Sequence, residues 1–145
     1  MEPHRSPRAA ARARRRLAIG RLGEQAAAEH LRRRGFEILA RNVRTAAGEI
    51  DLVAAGAQAI VFVEVKTTTR RDGAGEDRGR WLQRALERVG PHQRRRLRSL
   101  ALDWLREQRP APRRGPAAEI RFDAVGVVLD PAGRLLALEH LEAAF

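Results

Sequence analysis

Hydrophobic and polar positions change period along this chain, and the changes mark its elements. From about Leu17 to Arg34, the residues Gly20, Gly23, Ala27 and Leu31 recur at i, i+3, i+7 and i+11, the spacing of one helix face. Gly35 then offers a C-terminal cap. Because that stripe is mostly small, the helix can lie close on a sheet, and Glu24 stands beside the stripe, aimed at whatever the helix covers. The segments "FEILARNV" (36–43), "GEIDLVA" (48–54) and "AIVFVEVK" (59–66) read as three strands, the last two joined by a short turn containing Gly56. Residues 67–79 are polar and Gly-rich and read as a loop, and "WLQRALERVG" reads as a short helix. Over Pro91 to Gln108, Leu97, Leu100, Ala101, Trp104 and Leu105 form one apolar helical stripe, which makes Trp104 a core residue. Residues 109–116 form a breaker-rich loop, and "EIRFDAVGVVLD" and "RLLALEHL" close the chain as a hairpin around Pro131, Ala132 and Gly133. The expectation is one α/β domain over residues 17–145, in the order α-β-β-β-α-β-β, with about five strands flanked by helices. Residues 1–16 hold six arginines without periodicity and read as a disordered basic arm.

Strand alternation then places the chemistry. In "VFVEVK", Phe62, Glu64 and Lys66 share one face and Val61, Val63 and Val65 the other. Glu49, Asp51 and Val53 share a face of the preceding strand. A hairpin centred between Ala57 and Gln58 sets Asp51 opposite Glu64, with Cβ atoms ~4.5–5.5 Å apart. Two carboxylates that close repel, unless one is protonated or a cation lies between them. A hard divalent ion such as Mg²⁺ or Mn²⁺ resolves the conflict, and Lys66 on the same face would stand where a water or a phosphate could be polarised. The alternative reading is a cross-strand ion-pair cluster on a solvated face. What favours chemistry is the strand itself: it is apolar on both sides, as buried strands are, and charges at its end need a reason.

Charge sharpens the picture. The chain of 145 residues carries 29 Lys plus Arg against 18 Asp plus Glu, a net charge of +11, and such a surplus suits an anionic partner, most simply nucleic acid. With four Phe, two Trp and no Tyr, binding should rest on phosphates more than on stacked bases. Every cationic side chain but Lys66 is an arginine, so one position keeps a compact ammonium whose pKa can shift, against a background that uses guanidinium elsewhere. Without cysteine, neither disulfides nor thiolate metal sites can form. No apolar run approaches the ~18 residues of a membrane span, and the opening "MEPHRSPRAAARARRR" lacks a secretory apolar region, so a cytoplasmic protein with no membrane partner is expected. The four histidines, His4, His30, His92 and His140, have no metal-ligand spacing and read as structural or exposed.

"GEIDLVA…IVFVEVK", with Asp51 followed by Glu64-Val65-Lys66, resembles the signature of the PD-(D/E)XK nuclease superfamily. With "GRLGEQAAAEHLRRRGFEILARNVRTAAGEIDLV", "PHQRRRL", "IRFDAVGV" and "LEHLEAAF", the stretch from residue 17 to 145 resembles the YraN-like family of uncharacterised proteins within it. The resemblance implies a restriction-endonuclease-like fold on a mixed central sheet, and a metal-dependent nuclease. Asp51 and Glu64 match the metal-binding acids, with the Val65 carbonyl a further ligand; Lys66 matches the catalytic lysine; and Glu24 matches a first-helix acid found in archaeal Holliday-junction resolvases. The implied substrate is branched or structured DNA, which a two-fold homodimer would suit. In two respects the chain departs from the pattern. The segment after "EVK" is long and Gly/Arg-rich, and Gln93 stands where a lysine is expected, leaving a neutral donor one turn before Leu97. Those departures keep a second reading open, a nucleic-acid-binding or partner-binding protein on the same fold without turnover. The segment Arg121-Phe122-Asp123 matches a family motif to which the sequence attaches no chemistry.

Overall fold

The computed structural model describes residues 6–70, 78–87, 89–108 and 119–145. The elements in chain order are α1 (Pro7–Arg33), β1 (Glu37–Thr45), β2 (Gly48–Ala55), β3 (Ala59–Thr69), α2 (Arg78–Glu87), α3 (Pro91–Glu107), β4 (Glu119–Leu129) and β5 (Leu135–Leu141). The five strands form one sheet in the order β1-β2-β3-β4-β5. Only the β3–β4 pair is parallel. The sheet is therefore mixed, and helices cover both faces, as expected for a restriction-endonuclease-like architecture.

Alternation along β3 builds two cores. Val61 and Val63 join Val125, Val127 and Leu129 of β4 under Ala27, Ala28 and Leu31 of α1. On the opposite face Ile60 and Phe62 meet Leu100, Ala101 and Trp104 of α3. Trp104 is buried as expected and packs edge-on against Phe62, ring centroids 5.9 Å apart. The small residues of α1 do what their size allows: Gly23 lies so close to β3 that any Cβ there would collide with the Thr67 side chain.

The first helix starts earlier than its apolar stripe suggests. It begins at Pro7, not Leu17, so residues 7–16 are helix rather than disordered arm, and residues 1–5 lie outside the described residues. The local reasons are plain. Ser6 caps the end by accepting from the Ala9 N–H at 3.3 Å, Pro7 takes the first helical position, and Ala and Arg are strong helix formers. Periodicity missed this segment because it covers nothing: Pro7, Arg8, Ala9, Arg12 and Arg14 to Ala18 are all exposed. At the other end Gly35 takes the left-handed conformation (φ 88°) and ends the helix where the cap was expected.

β3 runs on to Thr69, and the part of the expected loop over 71–77, like the breaker-rich loop over 109–116, lies outside the described residues. The closing hairpin turns as expected, with Gly133 at φ 86°. Among the described residues no helix is long and apolar enough to cross a membrane.

Candidate metal centre and its groove

The site is built where the β2–β3 ladder stops. The register follows the expected hairpin as far as Leu52 opposite Val63, and there the pairing ends. Asp51 and Glu64 come next in register, but they do not continue the ladder. Instead the Val65 N–H donates to Asp51 Oδ2 at 2.8 Å, so a side chain takes a donor that a β2 carbonyl would otherwise hold.

The face expected for Glu49, Asp51 and Val53 needs correction. Val53 and Ile50 both belong to the α3-side core, while Leu52 and Ala54 belong to the α1 side. Strict alternation would put Ile50 with Leu52, so the pleat is interrupted around Asp51. The interruption frees Asp51 and Glu49 to meet Glu24 of α1, and carboxylate oxygens of these three residues lie within 4.8 Å of one another. β1 contributes to the break: Asn42, opposite Asp51 in register, has φ 48°, a conformation that Asn adopts more readily than most residues. Its side chain eases the crowding by drawing the Glu24 pKa down.

Electrostatics follow from the crowding. Burial first, then the neighbouring Glu64 carboxylate, with smaller contributions from Glu24 and Glu49, pushes Asp51 up to about 8 against the pull of the Val65 N–H. Burial and Glu49 also raise Glu24, opposed by Asn42. Glu64 holds the Lys66 ammonium at 3.2 Å, so the single lysine is tied to one of the crowded acids. Gln93 lies half-buried in the first turns of α3, one turn before Leu97, which shares a small cavity with Glu64. Among the described residues no hydrogen bond joins Gln93 to Glu64 or Lys66. Arg94, Arg95, Arg96 and Arg98 are exposed on α3.

The acids floor an open groove of about 440 Å³ between α1 and the β1–β2 hairpin. One wall is α1, through Arg16, Gly20 and Arg21; the other is β1, through Asn42 and Arg44. Of the residues singled out from the sequence, Asp51 and Glu24 meet here with Glu49, while Glu64 and Lys66 pair outside this trio; Asn42 and these arginines were not anticipated. An asparagine inside a strand was the available signal, since Asn is depleted in strands.

Arg121-Phe122-Asp123 proves to be a clamp rather than part of this groove. Asp123 is fully buried and accepts two bonds from Arg121 (Nε and Nη2, both 2.8 Å), one from His140 Nε2 (2.7 Å) and one from the Ala143 N–H (3.0 Å). Burial raises its pKa, but the bonds from His140, Arg121 and Ala143 outweigh it and bring it down to about 2. Because Arg34 can only donate, its contact with His140 Nδ1 at 3.2 Å makes that nitrogen the acceptor and leaves the proton on Nε2, facing Asp123. His30 Nε2 contacts the same Nδ1 at 3.1 Å. The two histidines are thus structural, tying α1 to β5. The Phe122 ring, on the other face, stacks on Phe62 at 5.6 Å.

Comparison with known proteins agrees with the motifs. A solved structure, SfsA of Pyrococcus furiosus in complex with Ca²⁺, is similar at 17% identity and TM-score 0.34; the match covers 84% of this chain and 63% of that one, less than two thirds. A UPF0102 protein of Nocardia farcinica is 44% identical over 128 residues, covering 88% of this chain and 89% of the relative. One from Pelotomaculum thermopropionicum is 38% identical over 130 residues, covering 90% and 97%. Residues 23–127 match the profile of the Uncharacterised protein family UPF0102, and the chain belongs to that family, the YraN-like one its motifs resemble.

Proposed function

We propose that the protein is a divalent-metal-dependent nuclease that hydrolyses phosphodiester bonds in DNA. The observation that carries this reading is the convergence of carboxylates from α1 and β2 where the β2–β3 ladder parts, with a lysine bound to the adjacent β3 acid. A fold seldom crowds acids until one of them is driven to hold a proton unless the crowding serves a purpose.

The donor set suits a hard cation. Asp51, Glu24 and Glu49 offer carboxylate oxygens within 4.8 Å of one another; Glu64, outside that trio but near enough to raise Asp51, would add another, and a strand residue that turns its N–H to Asp51, as Val65 does, turns its carbonyl to the same edge of β3. Mg²⁺ or Mn²⁺ bound there would neutralise the acids and withdraw charge from a phosphate oxygen. The rest is the work of the chain's own groups. The Val65 N–H fixes the orientation of the Asp51 carboxylate. Glu64 fixes Lys66, whose ammonium can orient a water and offset charge growing on the phosphate in the transition state. Arg16, Arg21 and Arg44 surround the acids and draw a polyanionic backbone to a floor that would otherwise repel it. Gln93 serves at most as a neutral donor from the α3 side.

The test is cleavage of labelled linear, flapped and four-way DNA in Mg²⁺ or Mn²⁺ by the intact protein and by Lys66→Ala. Cutting that needs the metal and disappears in the variant supports the proposal. Salt-dependent binding by both proteins without cutting of any substrate would replace it with a non-catalytic nucleic-acid-binding role.

A further inference from the structure

The sheet-facing stripe of α1 changes character along its length. Leu31 and Ala27 are buried, Gly23 presses on Thr67, and the stripe then continues through Gly20, Arg16 and Arg12, each three or four residues from the last. A Cβ at Gly23 would collide with β3, whereas a Cβ at Gly20 would have no neighbour within 4 Å. Between these two glycines the face turned to the acids parts from the sheet, while Ile19 on the adjoining face still packs against the core. From Ala18 back to Pro7 the helix overhangs by roughly 17 Å at 1.5 Å per residue. The underside of the overhang near the sheet is therefore a gap roofed by helix, floored by the acids, and lined on its roof by guanidinium groups.

We infer that this roofed groove admits one strand of DNA at a time, so that the substrate is a single strand or the unpaired part of a larger structure rather than continuous duplex. The inference rests on the nuclease reading for its chemistry, and on the groove for its shape. At about 440 Å³ the space suits a nucleotide-sized group. A phosphate reaching Asp51 must pass between Arg16 and Arg21 on α1 and Arg44 on β1, and in a duplex the second backbone would meet the overhanging helix. Arg12 and Arg16 stand one helical turn apart, a spacing close to that of successive phosphates in an extended strand. Among the described residues no aromatic ring lines the groove, so the grip is on phosphates and carries no base preference.

Binding is measured in Ca²⁺ buffer with the full chain, using a labelled oligodeoxythymidine longer than the ~4–16 nucleotides of a common single-strand site, and a blunt duplex of equal length. Two variants accompany it: Gly20→Leu, which fills the gap, and Arg12→Glu with Arg16→Glu, which inverts the charge of the roof. The single strand should bind roughly tenfold tighter than the duplex, and both variants should remove that preference. If thermal melting shows that Gly20→Leu does not fold, the arginine variant decides alone. Equal or tighter duplex binding overturns the inference, as does single-strand binding that neither variant weakens. Metal-dependent cutting inside the paired region of the blunt duplex would also overturn it while leaving the nuclease standing. A strand preference abolished by the variants, without cutting in Mg²⁺ or Mn²⁺, upholds the groove and sinks the nuclease.

Discussion

Replacing Asp51 by Asn should stabilise the metal-free protein in alkaline solution and change little in acid. Asp51 has an ordinary pKa of 3.8 and is pushed up to about 8 in the fold. Between those values the native state keeps a proton that the unfolded chain has released. Stability from this group therefore falls as pH rises through that window, and the loss is complete above about 8. At ~1.4 kcal/mol per pH unit, the shift sets a ceiling of about 6 kcal/mol. Water entering from the open groove lowers the real figure, and roughly 2 kcal/mol is expected, or ~4–8 °C in melting temperature for a chain of this length. Asn has the same shape, and its carbonyl oxygen can still accept from the Val65 N–H, so little packing is lost. Thermal melts in EDTA should show Asp51→Asn above the parent near pH 9, and the two within ~0.5 kcal/mol near pH 5. Adding Mg²⁺ or Mn²⁺ should raise the parent's melting temperature, by the equivalent of ~2.7 kcal/mol at a hundredfold excess over Kd, and leave the variant unmoved. A variant that melts below the parent near pH 9, or gains equally at both pH values, would refute the crowding argument.

Three further outcomes follow from the same geometry. Asp123→Asn should cost about 3–5 kcal/mol in urea unfolding, with or without metal, because it leaves Arg121 without its buried charge partner. The Asp123 pKa of about 2 lies below the ordinary 3.8, so its contribution is full above 3.8 and is lost as pH falls through about 2; the variant should therefore unfold at higher pH on acid titration than the parent. Gly23→Ala should destabilise by ~1–3 kcal/mol despite a better helix propensity, since its methyl meets Thr67, and Thr67→Ala in the same chain should recover part of the loss; a stabilised single variant would contradict the close packing. Lys66→Arg should retain oligonucleotide affinity within a few-fold but lose cleavage by about 10²-fold or more, because a guanidinium can still pair with Glu64 but spreads its charge over a larger plane and cannot put a compact charge where the ammonium stands; undiminished cleavage would mean that charge alone is required.

What the sequence disclosed depended on what each segment covers. The strands and α3 bury a face, so burial wrote their period into the chain, and Phe62, Trp104 and the valines of β3 landed where alternation or helical spacing put them. The stretch 7–16 of α1 contributes to neither core. Its arginines looked like a tail, although capping at Ser6 and local propensity were enough to make them helix. Asp51 failed the alternation rule for a different reason. Carboxylates from α1 and β2 meet here at one point, and a regular pleat would have pointed Asp51 away from Glu24. The irregularity at Asn42 and Asp51 is the local departure from strand geometry that brings them together.

Lys66 joins the two kinds of signal. Period-2 spacing put it on the Glu64 face, and composition marked it as the one cation that is not arginine. The structure adds the contact that alternation alone could not supply, the 3.2 Å pair with Glu64 beside the site of Asp51. Arginines tolerate one another's positions along the overhang, because a phosphate backbone can be gripped at many points. A group that must meet a single developing charge cannot be moved or exchanged so freely. On the proposed reading, the arginines of the overhang serve where the task is attraction, and the ammonium is kept where a single developing charge must be met.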